Sequence, residues 1–412
     1  MLNPKKIEIP SAKTYKLEAI AKVAESLRFP QLGRRTVLVA GTNGKGSTCA
    51  YLTALFAAAG MKVGTYTSPH VVHRTERIRI NAKPVSEAML KRYEKRYEKE
   101  IKALTYFEKM TILAFLIFRD LKVDVQILEV GMGGRLDATN ISDPDISAIT
   151  RIDYDHQEVL GKTLTLIASE KSGIMRSQRP CFTAFQLAEA RKQIQKEAKQ
   201  RKTRLKIVRP SDFSVAEQKL LRKLQDSWGD HQFQNAMIAL KVFQRAQADW
   251  KGLQKLSSQK LKACLSADVL WPARLQIVRK KPLILVDGSH NMNSIDAFVS
   301  YWKEHHRDLK NVRCVFGVME DKDVKEMLEK ILPWVDHFHL PLFYPERQLK
   351  PQKLAQEIWK IRPTAKIQNH SDTGSCVGSL LKLANSQKFP IVCLGSLYLA
   401  GSFLVQLKGR RL

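Results

Sequence analysis

VLVAGTNGKGST, residues 37–48, reads as three elements in twelve positions: an apolar β-forming run, a glycine turn, and a helix expected to begin near Ser47 and to continue through Cys49 to Ala59. A turn of this kind aims successive backbone N–H groups and a helix N-terminus at one point, an arrangement suited to a triphosphate. Lys45 would supply a point charge there, and Ser47 or Thr48 a hydroxyl for Mg²⁺. The spelling departs from G-x-x-x-x-G-K-[ST], because Gly46 separates Lys45 from Ser47 and the first glycine of that pattern is absent. The competing reading is a glycine-rich strand-to-helix turn with no ligand.

Working outward, short β-rich runs alternate with longer helical patterns: Thr36 to Ala40 is followed by the helix above, Val125 to Val130 by a glycine-rich turn, and Ile146 to Ile152 forms a third run. That alternation predicts an α/β fold with a mainly parallel central sheet. After Trp271-Pro272 the pattern restarts with Leu283 to Val286, a glycine turn and a helix, then Val312 to Gly317 and finally Ile391 to Gly395. A boundary near Pro272 to Pro282 follows, giving a larger domain over 1–272 that holds the glycine turn and a smaller α/β domain over 273–412.

The chain has 412 residues, enough for two or three domains. Subtracting 40 acidic from 69 basic residues leaves +29, which calls for anionic partners. Arg191 to Arg209 concentrates nine Lys or Arg against Glu197 alone. This run lacks interleaved aromatics and any nucleic-acid-binding motif, so it is expected to be a solvated helix face. The longest apolar runs, Thr111 to Phe118 and Ala54 to Gly60, fall short of the ~18 residues of a membrane span, and Met1 to Pro10 has no apolar signal region. The six scattered cysteines contain no C-x-x-C pair and are expected to be free thiols. A cytoplasmic protein with no nucleic-acid or membrane partner is therefore expected.

Three further clusters carry chemistry. In QILEVGMGGRLDATN, residues 126–140, Glu129 ends a buried strand beside the crevice where parallel sheets bind ligands; such an acid either holds Mg²⁺ or caps the next turn. In the stretch Ile149 to Gly173, His156 follows a strand, where an imidazole is either a metal ligand or structural, and Lys171 sits in a helix-like stretch where burial would strip its charge. In LILVDGSHN, residues 283–291, Asp287 and His290 are placed for ribose or phosphate contacts, with a satisfied turn aspartate as the equal alternative.

Taken in order, GTNGKGST, Thr67-Ser68-Pro69-His70, Leu104-Thr105-Tyr106-Phe107-Glu108, EVGMGGRLDATN, Asp155-His156, EKSGI, His231-Gln232 with Asn235, and DGSHN resemble the folylpolyglutamate synthase and dihydrofolate synthase family of the Mur-ligase superfamily. The resemblance runs from about Val37 to the end of the chain and implies a bifunctional bacterial type of ATP-dependent amide ligase. In such an enzyme a dihydropteroate or folate carboxylate is phosphorylated by ATP, and the acyl phosphate is captured by the amine of L-glutamate. It further implies two Mg²⁺ ions, a monomer, a P-loop ATP-binding domain with the pteroate or folate site over 1–272, and a Rossmann-like glutamate-ligase domain over 273–412.

Carried over position by position, the resemblance puts Asn43, Gly44, Lys45, Gly46, Ser47 and Thr48 on the phosphate-binding loop. It puts Ser47, Ser68, Glu129 and His156 on metal positions, and Thr105, Phe107 and Asp137 around the pterin. Asn235, Arg274 and Asp287 fall on nucleotide positions, and Lys45, Lys171 and His290 on catalytic ones. Lys171 matches a lysine that is carbamylated in related ligases.

Two departures stand out. Many bacterial members carry an I-D-L-G-L-x-R stretch that helps build the pteroate pocket, where this chain has Ile7-Glu8-Ile9-Pro10-Ser11-Ala12, and the usual W-P-G-R linker reads Trp271-Pro272-Ala273-Arg274. The first bears on the dihydropteroate reaction, so a folylpolyglutamate synthase lacking that reaction is the nearest alternative, followed by another Mur-type amino-acid ligase. A basic nucleic-acid-binding ATPase, motivated by the charge, is the alternative from a different class.

Overall fold

A computed structural model describes residues 17–269, 271–386 and 388–408. The divergent segment 7–12 lies outside the described residues. The chain divides into two compact units, one comprising Met1–His70 with Arg74–Leu270, the other Val71–His73 with Trp271–Leu412.

The strands of the first unit are β1 (Arg35–Ala40), β2 (Val63–Tyr66), β3 (Ile78–Ile80), β4 (Lys83–Pro84), β5 (Val125–Glu129), β6 (Ile146–Ile149), β7 (Pro180–Thr183) and β8 (Arg204–Ile207). They form one sheet in the order β4-β3-β2-β5-β1-β6-β7-β8. From β2 to β8 all pairings are parallel, while β3 and β4 join antiparallel at one edge. β1 lies in the middle, Val39 in register with Glu129 on one side and Ala148 on the other. Its apolar run has no polar alternation because both faces are covered. Leu38 and Ala40 share an apolar cluster with Met110, Phe115 and Phe118 of the helix Tyr106–Asp120, while Val37 and Val39 point to the opposite face.

β1 leads through residues 41–44 into the helix Lys45–Ala58, which starts two residues before the expected Ser47. That helix packs along the stretch Val215–Asp249, which bends at Gly229 (φ 78°, ψ 169°). The run expected to be a strand from Ile146 to Ile152 leaves the sheet after Ile149, because Thr42 and Asn43 donate their amides to the carbonyl of Arg151 and draw the chain over the glycine turn.

The basic run also needs correction. It is not one helix face: the helix Ala188–Gln200 accounts for its first part, and its end forms β8, the edge of the sheet, with Arg204 and Lys206 exposed.

The second unit holds β9 (Gln276–Lys280), β10 (Leu283–Val286), β11 (Arg313–Phe316), β12 (His337–Pro341), β13 (Lys366–His370) and β14 (Ile391–Leu394) in the order β13-β12-β11-β14-β10-β9. All pairs are parallel except β9 with β10. Helices Met292–His305, Val324–Ile331, Pro351–Ile361, Thr373–Ser386 and Leu397–Lys408 intervene between or follow the strands, as a parallel sheet requires. The six cysteines are all free and buried. Among the described residues no helix is long and apolar enough to cross a membrane.

Candidate active site

The order of the first sheet brings the carboxyl ends of β2, β5, β1 and β6 side by side, and the site is built on the loops that leave them. After β1, Gly44 takes φ +88°, a left-handed value suited to glycine, and forms the N-cap of the helix Lys45–Ala58. The amides of Lys45, Gly46 and Ser47 occupy its first turn, where the helix itself provides no acceptors. A Cβ at Gly44 would lie 2.1 Å from Oδ1 of Asn235, so this asparagine rests against the turn. Lys45 Nζ donates to the carbonyls of Gly41 and Thr42, each at 3.0 Å, folding its charge back over the loop. Thr42 Oγ1 exchanges hydrogen bonds with the backbone of Asp153, both 3.0 Å, which fixes the segment after β6 to the same turn.

Glu129, at the end of β5 and only 4% exposed, accepts the Ser68 amide on Oε2 at 3.0 Å. Two of the expected metal positions, from the loops after β2 and β5, are thus in direct contact. His156 sits in left-handed backbone (φ 50°) at the start of the short helix Gln157–Leu160, its ring half-exposed and 3.8 Å from Asp155. Thr48 Oγ1 is buried without a hydrogen-bond partner, and Ser47 Oγ accepts from Gln232 Nε2 at a long 3.3 Å. The hydroxyls of Ser47 and Thr48 and the carboxylate of Glu129, borne at or after the ends of adjacent strands, are oxygen donors of the kind a hard divalent cation takes, and His156 offers an imidazole.

Lys171 is 4% exposed and donates from Nζ to the carbonyl of Gly41 at 2.9 Å. Burial, and next the charge of Lys45, lowers its pKa to about 7, with Asp155 and Asp137 opposing. An amine so depressed is about half deprotonated near pH 7, and that fraction is nucleophilic.

Around the expected pterin position, Phe107 lies at the start of the helix Tyr106–Asp120, its ring against Gly131 so closely that a Cβ there would fall 2.6 Å from Cζ. Thr105 is the N-cap of that helix: its Oγ1 accepts the Glu108 amide at 3.3 Å, and Glu108 Oε2 accepts the Thr105 amide at 2.9 Å. Asp137 is turned toward its own loop, accepting from the amides of Gly131 (3.0 Å), Met132 (2.9 Å) and Thr139 (3.0 Å) and from Thr139 Oγ1 (2.6 Å). Burial raises its pKa against these four donors. Its evident work is to shape the Gly131 turn on which Phe107 rests.

Arg274, Asp287 and His290 belong to the second unit. Asp287, at the end of β10, accepts the Leu275 amide at 2.6 Å, the Ser289 amide at 2.9 Å and the Ser289 hydroxyl. It therefore pins the turn carrying Arg274 to the turn carrying His290, whose Nδ1 contacts the Gly288 carbonyl at 2.7 Å.

Gln232 is the functional candidate that sequence reasoning passed over without a role. Buried, it reaches Ser47 Oγ and lies within 3.5 Å of both Asn235 and Tyr51 Oη. Its spacing of three from Asn235, which puts both on one helix face, was the available sign.

The chain matches the Mur ligase middle domain over residues 39–242 and the Mur ligase, glutamate ligase domain over residues 273–397. Together with the glycine turn at the head of the parallel sheet, this makes it an ATP-dependent ligase of the Mur type. It is 31% identical to the dihydrofolate synthase/folylpolyglutamate synthase of Bacillus subtilis over 351 residues, 78% of this chain and 80% of that protein. Its structure is similar to that of E. coli FolC in complex with DHPP and ADP (TM-score 0.81, 26% identity, 100% and 96% of the two chains). It is also similar to a bifunctional folylpolyglutamate synthase/dihydrofolate synthase with Mn, AMPPNP and L-glutamate bound (TM-score 0.76, 28% identity, 97% and 100%). The chain belongs to the dihydrofolate synthase/folylpolyglutamate synthase family.

Proposed function

We propose that this protein joins L-glutamate to dihydropteroate and to folylpolyglutamates, using ATP to convert the acceptor carboxylate to an acyl phosphate. The observation that carries the reading is the meeting of the glycine turn, Lys45, Lys171 and the Ser68–Glu129 pair at neighbouring strand ends, with Phe107 flanking the loop that follows Glu129. A carboxylate is a poor acyl donor, and transfer of the γ-phosphoryl group gives it a leaving group that the glutamate amine then displaces, releasing phosphate and ADP. Lys45 and the first-turn amides of the helix Lys45–Ala58 stabilise the charge that moves between these anions.

Ser47, Ser68, Glu129 and His156 are the residues to hold Mg²⁺, as two ions sharing Glu129. When bound, the metal supplies charge neutralisation and alignment of the phosphoryl oxygens. Glu129 orients the Ser68 loop through the Ser68 amide, and Gln232 and Asn235 brace the phosphate turn from the helix side. Lys171, buried and readily deprotonated, has the character needed for its neutral form to add CO₂ as a carbamate, losing one proton and becoming an anion. Phe107 offers an aromatic face to the flat pterin, with Thr105 capping its helix and Asp137 fixing the turn behind it. Arg274, Asp287 and His290 are assigned nucleotide and catalytic roles on their motif positions, Asp287 acting through the turns it holds. A monomer in the cytoplasm, without nucleic-acid or membrane partners, completes the reading.

Incubation with ATP, Mg²⁺ and L-glutamate plus either dihydropteroate or tetrahydrofolate, followed by ADP release and product mass, tests it. Turnover with both acceptors is expected. Turnover with tetrahydrofolate alone would favour the monofunctional polyglutamylase, for which the divergent segment 7–12 is the specific motive. No ADP release with either acceptor would overturn both readings.

A further inference from the structure

Away from the ligase chemistry, the second unit contains a compact group of soft and borderline donors. His339 on β12, His370 at the end of β13 and Cys376 in the helix Thr373–Ser386 each offer one ligand atom, and the three atoms lie within 4.8 Å of one another. The imidazoles are nearly parallel, 20° apart with centroids at 5.3 Å, and Nδ1 of His339 is 3.0 Å from Nε2 of His370. His339 is 1% exposed, Cys376 is wholly buried and His370 is half-buried. The register of the parallel pair, Pro341 opposite His370 and His339 opposite Gln368, brings the two rings together, and the turn after β13 brings in the thiol.

Ordinary core packing accounts poorly for this group. An imidazole kept 1% exposed beside a second imidazole and a thiol places three donor atoms where apolar side chains would pack without polar cost. Neutral imidazole is the form that binds a metal. In a tetrahedral site with bonds of about 2.0–2.3 Å, neighbouring ligand atoms stand about 3.3–3.7 Å apart, so the nitrogen pair is already close to that spacing.

We propose that His339, His370 and Cys376 form a metal site for Zn²⁺, separate from the magnesium-type site of the ligase. Two imidazoles and one thiolate select a borderline d¹⁰ cation over Mg²⁺, which takes oxygen ligands. Binding forms two Zn–N bonds and one Zn–S bond. The Cys376 S–H bond breaks and its proton leaves to solvent. The proton shared between the rings moves to the outer nitrogen of one ring by tautomerisation, so one proton is released per ion. Water fills the fourth position. The cation would tie two edge-side strands to the helix that follows them, making this a stabilising site.

The test uses the full chain, stripped with a chelator and held in excess Mg²⁺ so that the ligase site is satisfied. Titration with Co²⁺ is expected to give one tightly bound ion per chain with thiolate-to-cobalt charge-transfer absorption, displaced by one equivalent of Zn²⁺. Cys376→Ser should abolish that absorption, and His370→Gln, at a half-buried position that tolerates a polar replacement, should weaken Co²⁺ binding by about tenfold or more. Absence of the absorption in the folded wild type, its persistence in Cys376→Ser, or equal binding by wild type and His370→Gln would each overturn the site. Should Cys376→Ser not fold, the His370→Gln comparison decides. None of these readouts depends on ligase turnover, so the outcome is independent of the proposed activity.

Discussion

Lys45 and Lys171, from two different helices, end on the same acceptor: both ammonium nitrogens donate to the carbonyl of Gly41, at 3.0 and 2.9 Å. Lys45 is half-buried and Lys171 buried, and the member of the pair with less access to water gives up its charge more readily. Lys171, with its pKa brought down to about 7, is that member. The turn therefore sets a half-buried lysine beside a buried amine whose charge is easily lost.

This asymmetry predicts a pH dependence of stability. Lys171 is protonated up to about 10.5 in the unfolded chain but only to about 7 in the folded one. Between those values the unfolded state binds more protons, so unfolding free energy rises with pH, at most about 1.4 kcal/mol per pH unit from this group. Below pH 7 both states are protonated and the slope vanishes. Urea denaturation of Lys171→Met should lack this part of the slope; an unchanged slope would count against a neutral Lys171.

Gly44→Ala should disable the nucleotide site. The left-handed backbone costs an alanine roughly 1–2 kcal/mol, and the new Cβ would collide with Asn235 Oδ1. The KM for ATP is expected to rise at least about tenfold, with a lower melting temperature. Gly44→Ala combined with Asn235→Ala should regain stability and not ATP affinity, because the asparagine contact is lost as well.

Phe107→Ala should raise the KM for the pterin-bearing acceptor by about 10–100-fold, a loss of about 1–3 kcal/mol of ring contact, while leaving the KM for ATP nearly unchanged. Phe107→Tyr retains the face and should retain most of the affinity. Equal effects of Phe107→Ala on both substrates would place the ring's influence in the fold rather than on the acceptor.

Asp287→Ala should lower stability by about 1.5–3 kcal/mol, since two amides and a hydroxyl lose a charged acceptor. If its influence on nucleotide binding passes through Arg274, the double variant Asp287→Ala/Arg274→Ala should bind ATP no worse than Arg274→Ala alone. Additive losses in a double-mutant cycle would show an independent contact by Asp287.

The parallel sheets, Glu129 at the end of a strand, Lys45 in the turn that opens a helix and Lys171 within a helix were legible in the sequence because a buried β run, a glycine turn and a helix are local patterns. What was not legible depends on which way a side chain turns. Asp287 takes the satisfied-turn alternative, accepting the Leu275 and Ser289 amides, and Asp137, expected beside the pterin, accepts the Gly131 and Thr139 amides within its own loop. Gln232 comes to Ser47 from 185 residues away, a proximity set by how the stretch Val215–Asp249 packs on the helix Lys45–Ala58. The His339, His370 and Cys376 group escaped for the same reason: its members lie on three elements, and only the β12–β13 register joins them.

The basic run that ends in β8 has an effect unrelated to catalysis. An edge strand exposes unpaired N–H and C=O groups, and a second copy of the same edge is a natural partner for them. Arg204 and Lys206 stand exposed along that edge. Two such edges approaching each other would bring like charges face to face before any ladder could form, a repulsion that salt screens. With Lys206 paired to Asp212 at 2.6 Å, Arg204 is the part of the +29 placed to oppose pairing of this edge of the eight-stranded sheet with its copies.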